Sequence, residues 1–101
     1  MKVVNYPHIV FPPGEIIRDE IGARGWSQSK FAQIIGRPYR VVNGILNGKR
    51  ELTPETALQI GAALGTSAEM WMRMEAEYRL HLAEKKAKGL AQISERARKA
   101  S

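Results

Sequence analysis

The chain has 101 residues, 44% of them hydrophobic and 26% charged, with a formal net charge of +6 and no cysteine. That length bounds it to one small domain with an appendage, and the excess of cations favours a nucleic-acid or other anionic partner. Absence of cysteine excludes disulfide scaffolds, thiolate metal sites and thiol catalysis. No basic start leads into an apolar run, and no stretch approaches the ~20 apolar residues of a membrane span, so a cytoplasmic protein is expected.

Residues 1–12 hold Val3, Val4, Tyr6, Ile9, Val10 and Phe11, with Pro7 and Pro12 among them. Prolines argue against a central strand, so an extended arm lying on the domain or on a partner is expected. His8 has no second ligand at metal spacing, which leaves it a surface or packing residue. Pro13 then opens a helix, with Glu15, Asp19 and Glu20 in its early turns, where acids suit the positive end of the helix dipole. Ile16, Ile17 and Ile21 form its inner face, and Gly22 and Gly25 end it.

Trp26 to Arg50 reads WSQSKFAQIIGRPYRVVNGILNGKR. Ser27 is placed to cap a short helix, whose buried stripe is Phe31, Ala32 and Ile35. Gly36 stops that helix and Pro38 starts the next, where a missing N–H costs nothing. Val42, Ile45 and Leu46 face inward from this second helix, and Gly48 ends it. Two short helices joined by a Gly-bearing turn follow the helix-turn-helix plan. The charge agrees: residues 21–50 carry six basic residues (Arg24, Lys30, Arg37, Arg40, Lys49, Arg50) and no acid, as suits a surface that meets phosphates. The plainer alternative is a solvated basic face on a helical hairpin.

Thr53 and Pro54 open a fourth helix with Ala57, Ile60, Gly61 and Leu64 on one face. Small residues at 57, 61, 62 and 63 allow close helix approach, and Gly65 terminates it. Thr66, Ser67 and Glu69 offer a second cap, with the T-x-x-E spacing of a capping box, for a fifth helix from about Ala68 into the late 80s. There Met70, Met74, Tyr78 and Leu82 form an i, i+4 ladder beside Trp71, a core residue. The later part, with Tyr78, Leu80 and Leu82, is either core or an interface for a dimer or partner. Residues 84–101 carry six basic groups against two acids and form a frayed or separately helical basic tail. The expected organisation is therefore an N-terminal arm (1–12), an all-α five-helix domain (13–83) and a basic tail (84–101).

The inventory supplies no enzyme site: two distant histidines, carboxylates scattered over helical faces, and no Gly-rich phosphate loop after a strand. No cofactor or metal is expected. Glu75 and Glu77, two residues apart on a helix, do not face each other.

The segment LNGKRELTPETALQIGAALGTSAEMW, preceded by PGEIIRDEI and WSQSKFAQIIG, resembles the HigA-type antitoxins of the phage-repressor-like (XRE) helix-turn-helix group. The match runs from Pro13 to about Leu80. The resemblance implies a five-helix domain that dimerises on a palindromic operator, neutralises a HigB-type mRNA-cleaving toxin and represses the operon encoding both. A stand-alone phage-type repressor and a pure protein-interaction module remain as alternatives. The family usually carries His before Pro-Gly-Glu and opens its reading helix Ser-Arg-Gln-Thr. Here Pro12 and Pro13 precede Gly14 and the helix opens Pro38-Tyr39-Arg40-Val41, which leaves the operator sequence open.

On this plan Tyr39, Arg40, Val41 and Asn43 are the base-reading candidates. Arg40 suits guanine and Asn43 suits adenine; Tyr39 suits a phosphate or a thymine methyl, and Val41 a methyl. Asn47, Lys49 and Arg50 are phosphate contacts, with Lys30 and Arg37 as weaker ones. Gln28 matches the family glutamine that clamps a phosphate and braces the reading helix.

Overall fold

A computed structural model describes residues 10–100. They form six α-helices: α1 (Pro13–Ala23), α2 (Gln28–Ile35), α3 (Tyr39–Leu46), α4 (Pro54–Leu64), α5 (Ala68–Lys86) and α6 (Leu90–Ala100). Among the described residues there is no strand. The expected arm falls mostly outside them; of it, residues 10–12 lack regular structure and Phe11 is exposed. Five helices were expected before the tail; the sixth, α6, lies within the tail and buries no residue. α5 continues through the expected boundary at residue 83 to Lys86.

Most helix boundaries follow from capping chemistry. Ser27 Oγ accepts the Lys30 amide at 3.0 Å and Thr53 Oγ1 accepts the Thr56 amide at 3.3 Å, each satisfying an orphan N–H of a helix start. Gly36 and Gly65 close α2 and α4 at φ 75° and 73°, a left-handed conformation that glycine adopts without a Cβ penalty.

Three local expectations need correction. Pro38 is the N-cap of α3, not its first residue: at ψ 147° its backbone is extended. Gly22 lies inside α1, which ends at Ala23 with Arg24 as its C-cap. Thr66 does not cap α5. Ser67 does, accepting the Met70 amide at 3.2 Å, while Thr66 Oγ1 accepts the Trp71 indole N–H at 2.7 Å. A buried indole donor needs a partner, and Thr66 supplies it.

One core joins α1 to α5: Ile17, Ile21, Phe31, Ala32, Ile35, Val42, Ile45, Leu46, Leu52, Ala57, Ile60, Leu64 and Trp71. On α5 the expected methionine–tyrosine ladder is only the flank of the inward face. The buried residues are Trp71 and Glu75, with Met70, Met72 and Met74 packed at the edge. A continuous apolar ladder is displaced because the chain brings polar backbone against this part of α5, and Glu75 answers it.

Two glycines permit backbone-to-backbone contact. A Cβ on Gly14 would stand 2.4 Å from the Leu46 carbonyl oxygen and 2.6 Å from that of Ile45; one on Gly61 would stand 2.6 Å from the Thr66 oxygen. α1 therefore presses directly on the last turn of α3. Gly14→Ala is expected to destabilise the fold by about 1–3 kcal/mol, because backbone cannot yield to an inserted methyl. Gly22→Ala, with open space around it, should be neutral or stabilise by up to about 1 kcal/mol. Urea unfolding of both variants checks the contrast.

Candidate nucleic-acid interface

Phe31, Ile35, Val42, Ile45 and Leu46 pin α2 and α3 to the core through one face each, so the opposite face of α3 is left outward. At its head Tyr39 is 51% exposed, with Arg40 exposed beside it. Val41 is half-buried and packs against the core. Its side chain is thus partly turned inward, unlike those of its two predecessors.

Asn43, one turn on, is bound on both sides of its amide. Its Nδ2 donates to Gln28 Oε1 at 2.9 Å, and its Oδ1 accepts from Asn47 Nδ2 at 3.1 Å. Asn47 Oδ1 in turn accepts from Arg18 Nη2 at 2.7 Å. A polar chain Gln28–Asn43–Asn47–Arg18 therefore runs along α3 and ties it to α2 and α1. Each asparagine amide carries two N–H donors and uses one here, which leaves the other for a further acceptor.

The six cations of residues 21–50 divide. Arg24 is taken up by the protein: its guanidinium pairs with Glu20 at 2.8 Å, donates to the Leu64 carbonyl at 3.1 Å and lies over Trp26. Arg37 donates to Gln59 Oε1 at 2.7 Å and pairs with Glu55 at 2.9 Å. Lys30, Arg40, Lys49 and Arg50 are exposed and have no side-chain partner among the described residues. These four, rather than six, are the charges held ready for an external anion.

Lys49 and Arg50 sit on a turn whose backbone is held from several directions. Both of their amides donate to the Gly44 carbonyl, at 2.9 and 3.1 Å. Gly48 turns the chain at φ 73°. Across the turn, Arg79 Nη2 donates to the carbonyls of Gly48 and Arg50 at 3.4 and 3.3 Å. Glu75, 7% exposed, accepts the Leu52 amide at 3.1 Å and Arg79 Nε at 2.8 Å.

Arg18, Glu75 and Arg79 were not among the sequence candidates. The i, i+4 spacing of Glu75 and Arg79 was a visible signal of an ion pair. That the pair meets residues 48–52, and that Arg18 meets residues 46–47, follows only from the packing of the helices. Of the α5 candidates, Tyr78 is half-buried with its ring against Gly48, Leu82 is half-buried, and Leu80 is 60% exposed.

The family model described as helix-turn-helix matches residues 17–71. The chain belongs to the XRE-type helix-turn-helix family. It is similar to the uncharacterized HTH-type transcriptional regulator YddM of Escherichia coli (strain K12), with 32% identity over 84% of this chain and 86% of the relative. Among solved structures it is similar to an addiction module antidote protein of the HigA family from Coxiella burnetii. That match has a TM-score of 0.74 and 32% identity, over 84% of this chain and 91% of the other. The Pseudomonas aeruginosa antitoxin HigA, solved with the higBA promoter, matches with a TM-score of 0.73 and 31% identity, over 82% and 89% of the two chains. The matches establish a DNA-binding fold of the antitoxin and repressor type, in a family of regulators rather than enzymes.

The polar chain makes a prediction independent of any ligand. Asn43→Ala removes two side-chain hydrogen bonds and leaves Gln28 Oε1 without its donor, and should cost about 0.5–1.5 kcal/mol. Denaturant unfolding measures it, and a cost equal to that of an exposed surface substitution would contradict the bracing role.

Proposed function

We propose that this XRE-type protein binds operator DNA as a dimer, represses its own operon and neutralises a HigB-type mRNA-cleaving toxin. The observation that carries the DNA part is the arrangement around α3: an outward Tyr39–Arg40 head and a fixed Lys49–Arg50 turn, at opposite ends of one braced helix. An α-helix fits the major groove, and residues at its N-terminal end reach base edges. In this reading Tyr39 and Arg40 read bases, Asn43 adds an adenine contact through its remaining N–H, and Val41 lines the contact with apolar surface. Lys49, Arg50 and Asn47 hold phosphates at the far end, Gln28 and Lys30 hold them at the start of α2, and Arg37 acts mainly through Glu55 and Gln59 to steady α2 against α4.

Dimerisation is assigned to the later part of α5, where Leu80 projects outward while Tyr78 and Leu82, four residues apart, lie half-buried on the opposite side. Two copies related by a two-fold axis would present two reading helices to the half-sites of a palindrome. The toxin part is supported by the HigA-family relatives, one described as an addiction module antidote and one solved with the higBA promoter. Among the described residues no helix is long and apolar enough to cross a membrane, which is compatible with a cytoplasmic regulator. Co-purification of a small basic toxin with the tagged chain from its own operon supports the antitoxin role; the chain recovered alone supports a stand-alone repressor.

The DNA assignment divides into base and phosphate roles, which separate experimentally. On duplexes from its own promoter, Arg40→Ala should lose about 1–3 kcal/mol of discrimination against a scrambled duplex. Lys49→Ala should weaken both duplexes alike and lower the salt slope by about 0.9. Fluorescence anisotropy across a salt series measures both, and identical profiles for the two variants would overturn the division.

A further inference from the structure

We infer that Glu75 and Arg79 of α5 are positioning residues for DNA binding, and that they act through the Lys49–Arg50 turn. This rests on the proposed DNA reading and adds to it two residues that lie on a helix outside the helix-turn-helix pair.

Four observations place them there. The last carbonyls of a short helix and the turn after it need donors, and Arg79 supplies one to Gly48 and one to Arg50. Glu75 fixes Arg79 through its Nε and also takes the Leu52 amide, so one carboxylate holds both the guanidinium and the far side of the turn. Glu75 is 7% exposed, and a buried carboxylate is held only where its partners are satisfied. The Tyr78 ring lies 5.2 Å from the Arg79 guanidinium and beside Gly48, so it packs on the same turn.

The opposite side of the same turn is held by the Gly44 carbonyl. The Lys49 and Arg50 backbone is thus fixed from α3 and from α5 at once, while their side chains stay exposed. A lysine or arginine whose backbone is already fixed loses less conformational freedom on gripping a phosphate. Arg79 is half-buried, and its Nε and Nη2 are taken up by Glu75 and the two carbonyls. Its effect on DNA therefore passes through Lys49 and Arg50.

A double-mutant cycle tests this on the full chain with a random-sequence duplex, since phosphate contacts do not depend on sequence. Arg79→Gln should weaken binding about tenfold in the wild-type background and lower the salt slope by roughly 0.9 for each phosphate that is no longer neutralised. In a Lys49→Ala, Arg50→Ala background the same substitution should change affinity by less than about twofold. Glu75→Gln keeps an acceptor for the Leu52 amide while removing the ion pair, and should show the same dependence on background. It carries the test should Arg79→Gln unfold, as circular dichroism would show.

Equal fold losses in both backgrounds would overturn the inference while leaving the DNA reading intact. Absence of salt-sensitive duplex binding by the wild-type chain would remove the DNA reading, and this inference with it.

Discussion

A helix of eight residues does not hold itself together in water, and α3 has eight. Its existence depends on what is packed against it, above all at its carbonyl end. There α1 arrives so closely that only a glycine fits at position 14, and Arg18, one turn later, donates to the Leu46 carbonyl and to Asn47. From the other side α5 brings Arg79 and Glu75 to the turn that follows. Two helices distant in sequence thus meet at the end of the one helix proposed to read DNA. Its head, Tyr39 and Arg40, is left uncovered.

Electrostatics follow the same division of labour. The acid-free stretch looks uniform in sequence, but the fold spends Arg24 and Arg37 on internal partners and leaves Lys30, Arg40, Lys49 and Arg50 outward. Exposed ion pairs contribute little to stability, so the value of the Arg37–Glu55 pair lies in orientation as much as in energy. It carries a guanidinium away from the α3 surface and onto α4. The charges that remain outward lie at the start of α2 and at the two ends of α3. In the proposed complex a duplex meets them there while its groove admits the helix between.

Much of this was legible from residues alone. Helical spacing placed Phe31, Ala32 and Ile35, then Val42, Ile45 and Leu46, on buried faces, because an amphipathic stripe must point at a core. Capping chemistry gave the starts of α2 and α4, and left-handed glycines gave the ends. Legibility failed where a residue's partner is remote. Trp71 draws Thr66 away from the capping role that its spacing suggested. The inward line of α5 runs through Glu75 because backbone amides and carbonyls of residues 48–52 face it, and no periodicity in residues 68–86 reports them. Asn43 reads as a base contact from its place on the helix, yet its amide is bound on two sides by Gln28 and Asn47. Arg18 carries no local signal at all.

Whether α3 enters a major groove while the turn after it holds the sugar–phosphate backbone is decided by NMR. Amide and side-chain resonances of the labelled protein are followed as the promoter duplex is added. With α3 in the groove, the largest shifts fall at Tyr39, Arg40, Asn43, Lys49 and Arg50, with weaker ones at Gln28 and Lys30. Saturating binding that leaves those residues unmoved, with its shifts confined to α5 and α6, would contradict this docking.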